Sequence, residues 1–329
     1  MKKINKILIT GGSGFIGTNL HLKLKKDKNN LVINIDTKKP LESNLLDDWV
    51  SCDIRNYSKL KKIFNNFKPN TVYHLAARTD LDGKTLRNYD TNIKGTKNIL
   101  SLITSNKKVK KFLYTSTRFV FNMDQNPKND FDYSASTVYG ESKVISEKLY
   151  FDYLKKLPRN SVLTRPTSIW GPYFGEPYYN FFKIIKKKLY FHPTLKKTYK
   201  SFGYVENTVL QMIKLCNSKI VKKNEVYYLC DYEPYEIFNF ANLISKRLNK
   251  TRIIKIPYFI TYFFSLIGSM LKFIDANFPL TLFRLKNMTT NSVFKNTNLK
   301  KIQNRLPYNL PKSINKTCDW FIKNETNFK

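Results

Sequence analysis

Cysteine is scarce in this sequence and widely spread. The four cysteines lie far apart and form no C-x-x-C pair, which argues against a disulfide scaffold and against a cysteine-based zinc site. Such sparse cysteine fits a reducing compartment, so we predict a cytoplasmic protein, and we expect no metal. Apolar residues nevertheless make up 42% of the 329 positions, which excludes a disordered chain and is ample for a buried core.

Acidic residues are also few, since 24 Asp and Glu stand against 58 Lys and Arg and leave a net charge of +34. The excess is even along the chain, and no zinc-finger, RNP or basic-zipper pattern accompanies it, so we expect no specific nucleic-acid partner. Abundant Lys and Asn beside Ile, Phe and Tyr are typical of an A+T-rich coding sequence. Attraction of an anionic substrate or of a membrane surface is the alternative explanation of the charge.

The sequence has no apolar run of the length that a membrane span requires. The uncharged stretch Ile256–Leu271 has sixteen residues, whereas a spanning helix needs about 20. We interpret it as a helix that is buried or half-buried in the C-terminal region. Peripheral contact with a membrane, helped by the basic charge, is the alternative.

Strand-like and helix-like segments alternate through the first half of the chain. The apolar run Lys6–Thr10 precedes Phe15–Lys26, which has helical spacing, and Asn88–Ser105 and Val138–Lys156 are longer segments of the same helical kind. Such alternation predicts βαβ units and therefore an α/β fold with a Rossmann-like, doubly wound parallel sheet.

The alternation loosens after Pro166, where proline and aromatic residues cluster. One more strand at Val226–Cys230 and a helix at Tyr235–Leu248 follow. We therefore predict a nucleotide-binding core over residues 1–166. Residues 167–329 are predicted to form a smaller, mainly substrate-binding region, with some segments returning to the core.

A glycine-rich turn, TGGSGFIG at Thr10–Gly17, follows the first strand and opens the first helix. In this context Gly11 permits a tight turn, Gly14 lets the backbone approach a pyrophosphate, and Gly17 lets the helix pack closely on the strand. Asp36, nineteen residues further on, ends the second strand, where a carboxylate accepts hydrogen bonds from ribose hydroxyls and repels a 2′-phosphate. This predicts NAD, although the two lysines that soon follow leave NADP open.

A tyrosine and a lysine four residues apart, Tyr139 and Lys143, share one face of a predicted helix. A nearby ammonium and the positive nicotinamide ring both favour a phenolate, so we expect a lowered pKa for Tyr139 and a role as acid or base. The pair alone is common on solvated helix faces. However, the strand that ends in Thr115-Ser116-Thr117 brings hydroxyls to the carboxyl edge of the sheet, where ligands bind.

Taken in order, these motifs resemble the extended short-chain dehydrogenases/reductases, and more narrowly the NAD-dependent sugar epimerase/dehydratase family, over about residues 5–250. The resemblance implies that Thr117, Tyr139 and Lys143 are catalytic. The residues that the resemblance and the glycine turn assign to NAD are Gly11, Gly14, Phe15, Ile16, Gly17, Asp36, Asp53, Ile54, Leu75, Ala76, Ala77, Asn92, Tyr139, Lys143 and Pro166.

The sequence departs from the family pattern directly after the catalytic hydroxyl. Dehydratases of the family carry an acidic residue there, but residues 118–122 contain none, which favours C4 epimerisation or simple oxidation and reduction. Two arginines are atypical of the family: Arg118 is either a surface cation or a contact of an anionic sugar or phosphate, and Arg78 is a candidate phosphate contact. The weak candidates for substrate contact are Arg78, Arg118, Asn180, Lys200 and Arg284.

These observations predict an NAD-dependent nucleotide-sugar epimerase, acting at C4 through a transient keto sugar and return of the hydride. The alternatives are a one-way sugar dehydrogenase or keto-reductase, a membrane-associated oxidoreductase on a lipid-linked or sterol-like substrate, and a non-catalytic dinucleotide sensor. The resemblance also implies a homodimer through the helices at 88–105 and 138–156.

Overall fold

A parallel sheet of seven strands forms the centre of the computed structural model, which describes residues 4–122, 127–271 and 280–324, the side chain of Phe283 excepted. Each strand pairs with its neighbours in parallel. Numbered along the chain and taken in order across the sheet, they are β3 (Trp49–Ser51), β2 (Asn30–Asp36), β1 (Asn5–Thr10), β4 (Thr71–His74), β5 (Lys111–Thr115), β6 (Asn160–Pro166) and β10 (Val226–Leu229). The order reverses between β1 and β4, the switch point at which such sheets bind ligands, and the predicted fold class is confirmed.

The remaining elements are eleven α-helices and four short strands within the described ranges. The helices are α1 (Phe15–Lys25), α2 (Tyr57–Phe67), α3 (Thr96–Ser105), α4 (Val138–Asp152), α5 (Tyr178–Lys186), α6 (Val205–Asn217), α7 (Ile237–Leu248), α8 (Tyr258–Leu271), α9 (Leu282–Thr289), α10 (Thr297–Ile302) and α11 (Leu310–Lys323). The strands are β7 (Ser168–Trp170), β8 (Tyr199–Lys200), β9 (Phe202–Tyr204) and β11 (Tyr235–Glu236).

The chain divides into two compact units, each built from three segments. The first unit comprises Met1–Ile169, Gly203–Cys230 and Lys295–Pro307. The second unit comprises Trp170–Phe202, Asp231–Phe294 and Tyr308–Lys329. The middle segment of the first unit supplies α6 and the seventh strand of the sheet.

The first unit has the buried apolar sheet that parallel strands require. Ile7, Leu8 and Ile9 of β1 are all buried, as expected for strands covered by helices on both faces. Helix α1 packs against α6, and α3 packs against α4. Leu20 and Leu24 lie one turn apart on α1 and are buried, so the helical spacing of this segment reflects its packing.

The prediction of one long helix over Asn88–Ser105 is wrong for the first half of that segment. Leu86–Tyr89 is a 3-10 turn and Thr91–Gly95 is a π-helical turn, and α-helical geometry begins only with α3. The side chain of Asn92 explains the irregularity, because its Oδ1 accepts from the backbone N–H of Arg78 (2.8 Å) and its Nδ2 donates to the Arg78 carbonyl (3.0 Å). Such π-turns are frequent at functional sites.

Aromatic packing holds the second unit together. The ring of Trp170 lies 4.9 Å from that of Phe240, and the ring of Phe182 lies 5.0 Å from Phe174 and 5.9 Å from Phe321, measured between centroids. Large aromatic side chains remove much apolar area from water, and their edge-to-face pairs add further stabilisation.

Helix α8 of the second unit covers most of the uncharged stretch, and only one side of it is buried. Its buried residues are small or polar: Thr261, Ser265 and Gly268. The Thr261 hydroxyl donates to the carbonyl of Pro193 (2.9 Å). None of the helices in the described ranges has both the length and the apolar character that crossing a membrane would demand.

Candidate active site

The glycine turn joins β1 to α1 and has the backbone geometry that its sequence predicts. Gly11 has a φ of +77°, and a Cβ on it would lie 2.5 Å from the backbone nitrogen of Ala76. A Cβ on Gly17 would overlap the carbonyl oxygen of Gly11. By contrast, a Cβ on Gly14 would meet only that oxygen, at 3.4 Å. The other side of Gly14 is therefore open, whereas Gly11 and Gly17 are packed against backbone.

Two side chains on β2 hold this turn in shape. Asn34, which is fully buried, accepts from the N–H of Gly12 (2.8 Å) and donates to the Ser13 hydroxyl (2.9 Å). Asp36 accepts from the N–H of Ser13 (3.1 Å) and from that of Lys38 (3.0 Å). We did not predict Asn34. Its position two residues before Asp36 was a usable signal, since alternate residues of a strand share a face.

The N-terminus of α1 fits the pyrophosphate of a dinucleotide. The N-cap Gly14 has no side chain, no side-chain hydrogen bond caps the helix, and its first turn contains no acidic residue. No group of the helix itself therefore offsets the partial positive charge of its N-terminus, and an anion is favoured there. Phe15 and Ile16, assigned to NAD from the sequence, form the first turn of the same helix.

Asp53 and Ile54, which the resemblance assigns to NAD, lie in the loop after β3, and each has partners within the first unit. The Asp53 carboxylate pairs with Arg55 (2.6 Å), and the hydrogen bonds from that guanidinium lower the pKa of Asp53. Ile54 is buried, its carbonyl accepts from the Asn98 amide (2.9 Å), and a Cβ on Gly95 would overlap its side chain.

The segment Leu75–Ala77 runs alongside the glycine turn at the carboxyl end of β4. The N–H of Leu75 donates to the Thr10 carbonyl (3.0 Å), and the N–H of Ala76 donates to the Thr10 hydroxyl (3.3 Å). The backbone of Leu75 and Ala76 can approach Gly11 this closely because Gly11 has no Cβ. The structure thus brings the predicted turn and the predicted Leu75–Ala77 segment together.

A buried histidine, His74, links this segment to the helical layer. Its Nδ1 lies 2.7 Å from the Thr10 hydroxyl and its Nε2 lies 3.0 Å from the Thr96 hydroxyl. Burial, together with the charge of Lys143, lowers the pKa of His74 to about 3. The ring is therefore neutral near pH 7 and serves as a structural hydrogen-bonding group between two hydroxyls.

Tyr139 lies at the start of α4 and Thr117 lies just after β5, and both are buried. The Thr137 hydroxyl caps α4 by accepting from the N–H of Gly140 (3.0 Å). Burial raises the pKa of Tyr139 to about 12, while its hydrogen bond with the Thr117 side chain acts in the opposite direction. The structure therefore unites the predicted phenol and hydroxyl.

Lys143, one turn after Tyr139, is also buried. Its Nζ donates to the carbonyl of Thr115 (2.8 Å) and lies 4.7 Å from the centroid of the Tyr114 ring. Burial lowers the pKa of Lys143 to about 7, against the charge of Glu147. Burial is thus the largest influence on the pKa of both residues: it raises that of Tyr139 and lowers that of Lys143. The lowered pKa that we expect for Tyr139 beside the nicotinamide ring stays a prediction.

A buried ion pair that we did not predict lies one further turn along α4. Glu147 and Arg165 are both fully buried, and they bond through Nη2–Oε2 (2.5 Å) and Nε–Oε1 (2.8 Å). The Tyr133 hydroxyl donates to Glu147 (2.9 Å), and Arg165 donates to the Tyr228 hydroxyl (3.0 Å). The pair ties α4 to β6 and β10. The sequence offered one signal for Glu147: it stands four residues after Lys143, and residues four apart share one face of a helix.

The other predicted contacts of the first unit have partners within it. The Arg78 guanidinium binds Asp80 (2.8 Å) and lies 5.2 Å from the centroid of the Tyr89 ring. Arg118 is buried and lies over the Phe119 ring (5.1 Å), so its interpretation as a surface cation is wrong. Pro166 is buried at the end of β6.

Three predicted substrate contacts belong to the second unit. The Asn180 amide donates to Glu176 (2.8 Å), and Lys200 donates to the side chain of Asn287 (3.1 Å). Arg284 is exposed on α9. Their assignment to substrate stays a prediction.

The fold is shared with solved enzymes. UDP-glucuronic acid 4-epimerase from Bacillus cereus, in a structure solved in complex with UDP-glucuronic acid and NAD, superposes with a TM-score of 0.73 at 21% identity, and the match covers 97% of this chain and 99% of that one. The family model "NAD dependent epimerase/dehydratase family" matches residues 7–230. The chain therefore belongs to this family, and it is an NAD-dependent enzyme of the extended short-chain dehydrogenase type.

Two relatives resemble the chain to different extents. N-acetyl-alpha-D-glucosaminyl-diphospho-ditrans,octacis-undecaprenol 4-epimerase of Escherichia coli O157:H7 is 26% identical over 328 residues, which cover 96% of this chain and 95% of the relative. dTDP-D-glucose 4,6-dehydratase of Dictyostelium discoideum is 31% identical over 236 residues, which cover 63% of this chain and 54% of the relative. The first relative therefore matches nearly the whole chain, and the second matches less than two thirds of it.

Proposed function

We propose that the chain is a 4-epimerase of a sugar that is carried on a diphosphate, and that it acts through transient oxidation at C4. The observation that carries the proposal is the buried pair of Tyr139 and Thr117 at the same sheet edge as the dinucleotide turn. The lack of a carboxylate in residues 118–122 favours epimerisation over elimination of water. The relative matched through both units is itself a 4-epimerase.

NAD, when bound, supplies the hydride acceptor for oxidation and the hydride donor for reduction. As a phenolate, Tyr139 would accept the proton of the C4 hydroxyl during oxidation, and the resulting phenol would return it during reduction, which is general acid–base catalysis. The Thr117 hydroxyl, already hydrogen-bonded to that phenol, holds the oxygen that becomes a ketone. Lys143, fixed by the Thr115 carbonyl, is placed to bind the nicotinamide ribose, as the family resemblance implies.

Two carriers of the diphosphate are candidates. A nucleotide carrier follows from the sequence prediction and from the solved 4-epimerase bound to UDP-glucuronic acid. A polyprenyl carrier is supported by the Escherichia coli relative, which matches through both units and whose name gives an undecaprenol-linked sugar diphosphate as its substrate. We infer a polyprenyl diphosphate as the preferred carrier, because that relative covers the second unit as well as the first.

The test uses the purified protein with two probes, UDP-N-acetylglucosamine and undecaprenyl-diphosphate-linked N-acetylglucosamine. Proton NMR of the sugar released from each probe distinguishes the C4 epimers, and absorbance of NADH monitors release of reduced cofactor. We expect the C4 epimer to form without net NADH. Accumulation of a keto sugar with stoichiometric NADH would establish a dehydrogenase instead, and an unchanged sugar in both mixtures would reject the proposal.

The homodimer that the family resemblance implies stays a prediction, as does the assignment of the second unit to substrate binding. A dimer of 38.8 kDa chains is expected to show twice that mass by light scattering. Substitutions on the exposed faces of α3 and α4 are expected to reduce it to a monomer.

A further inference from the structure

Helix α8 turns its large apolar side chains to the solvent. Phe259 is 72% exposed, Phe263 is 62% exposed and Met270 is 71% exposed. Five more large side chains on the same helix are exposed: Tyr258, Tyr262, Phe264, Leu266 and Ile267. The pattern is the reverse of a helix packed on a globular core, where the apolar stripe faces inwards. An apolar surface of this kind marks a site of interaction.

The orientation of α8 is fixed by hydrogen bonds on its inner face. The Thr261 hydroxyl donates to the carbonyl of Pro193 (2.9 Å), and the Ser269 hydroxyl accepts from the N–H of Leu282 at the start of α9 (2.9 Å). The buried Ser265 and Gly268 lie between these two anchors on the helix. The polar side is therefore bound to the second unit, and the apolar side is held outwards.

The surroundings of this helix are strongly basic. Residues 250–290 contain six Lys or Arg and one acidic residue, Asp275. Arg252, Arg284 and Lys286 are exposed on the segments that flank α8, and Ile254 beside them is 73% exposed. An apolar helix face with tyrosine and phenylalanine, bordered by basic residues, is the pattern of a helix that lies in a membrane interface.

We propose that α8 is a peripheral membrane-binding helix, and that its outer face inserts among the headgroups of an anionic lipid bilayer. Its 14 residues extend about 21 Å, which is less than the roughly 30 Å of a hydrocarbon core. The helix therefore lies along the surface. The exposed basic residues then meet anionic headgroups, each adding attraction at the membrane surface.

A second copy of the chain is a poorer occupant of this face than a bilayer. A two-fold interface places the same surface patch on both sides. The basic residues around α8 would then face one another in a chain with a net charge of +34, and like charges oppose association. An anionic bilayer offers the opposite charge together with an apolar interior.

Membrane binding would bring the active site to a substrate that is anchored in the same bilayer. This consequence rests on the proposed function, because it requires a lipid-linked sugar diphosphate. The binding of α8 to lipid does not require it, so the two proposals fail separately.

The test is sedimentation of the full-length protein with vesicles of phosphatidylcholine, with or without phosphatidylglycerol. We expect binding to the anionic vesicles that weakens as salt rises. The triple variant Phe259→Ser, Phe263→Ser, Met270→Ser should partition at least about tenfold less, since apolar burial contributes to interfacial binding. A matched control removes three apolar side chains of the first unit, Ile4→Ser, Leu41→Ser and Ile220→Ser, which are 60%, 57% and 64% exposed, and it should bind as the wild type does.

The proposal is overturned if the wild type does not bind anionic vesicles, or if the triple variant binds them equally well. An equal loss in the control variant would also overturn it. If the triple variant converts a dimer to a monomer by light scattering and vesicle binding is absent, a second copy is the occupant. Tyr139→Phe should bind vesicles normally. If the wild-type protein binds anionic vesicles but leaves the sugar of both probes unchanged, the proposed function alone is rejected.

Discussion

The two units use polar side chains in opposite ways. In the first unit, buried polar groups such as Asn34, His74 and Glu147 hold the glycine turn and the catalytic helix in place. In the second unit, aromatic rings form the interior, and α8 turns its polar side inwards and its apolar side to the solvent. The first unit thus buries a connected set of polar groups around its candidate active site, whereas the second exposes the apolar side of α8, where we propose contact with a membrane.

The largest effect is expected at the phenol of the first unit. Tyr139→Phe should lower kcat by about 10²–10⁴-fold, because the variant keeps the buried ring and loses the acid–base hydroxyl. The matched control is Tyr57→Phe, an exposed tyrosine on α2 of the same unit, which should retain full activity. Steady-state kinetics, on whichever of the two sugar diphosphates the wild type converts, measures kcat for both variants. Near-normal turnover by Tyr139→Phe would show that the phenol is not the acid or base.

The buried and exposed ion pairs should differ strongly in their contribution to stability. Arg165→Met leaves the fully buried Glu147 without its partner, and it should lower the free energy of unfolding by about 3–5 kcal/mol. Arg247→Met breaks the exposed pair with Asp319 in the second unit and should cost less than about 1 kcal/mol. Urea unfolding measures both values. Equal losses in the two variants would contradict the contrast between the units.

Lys143 should give the protein a distinctive pH dependence of stability. Its pKa in the folded protein is about 7, against an ordinary value of 10.5, so between these pH values the unfolded chain binds the extra proton. The free energy of unfolding should then rise with pH, by up to about 1.4 kcal/mol per pH unit from this group. Lys143→Met should remove that rise, while Lys148→Met, at an exposed position of the same helix, should retain it. Identical slopes for Lys143→Met and the wild type would refute this account.

The smallest expected effect is on cofactor affinity at the glycine turn. A Cβ on Gly14 meets only ordinary contact inside the protein, so Gly14→Ala should fold normally and bind NAD about tenfold more weakly by obstructing the open side of the turn. Gly175→Ala places a methyl group in open space in the second unit, and it should leave both properties unchanged. Calorimetric titration measures the NAD affinity of both variants, and thermal unfolding measures their stability. Unaltered NAD affinity in Gly14→Ala would argue against binding of the NAD pyrophosphate at the glycine turn.

The sequence was most informative where local spacing determines geometry. The strand runs, the glycine turn and the four-residue step from Tyr139 to Lys143 are local patterns, and the structure contains each of them. The partners of Arg165 and His74 come from other parts of the chain, so they follow only from the tertiary fold. The rise in the pKa of Tyr139 through burial could not be read from its spacing to Lys143, because burial is a property of packing.

The helix predictions show a similar limit. Asn88–Ser105 has helical spacing throughout, yet Asn92 bonds to the backbone of Arg78 and the first half becomes 3-10 and π turns. The stretch Ile256–Leu271 is helical over most of its length, but its composition alone does not reveal which side faces the protein. Both outcomes depend on contacts between segments distant in sequence.

The central claim is that the hydride leaves C4 and returns to the same carbon within one active site. The most direct measurement follows deuterium at C4 of N-acetylglucosamine, supplied on UDP and on undecaprenyl diphosphate, through turnover by the wild-type protein in ordinary water. The account predicts a C4 epimer that retains its deuterium, with no net NADH. Loss of the label to the solvent, or deuterium accumulating in released NADH beside a keto sugar, would contradict it.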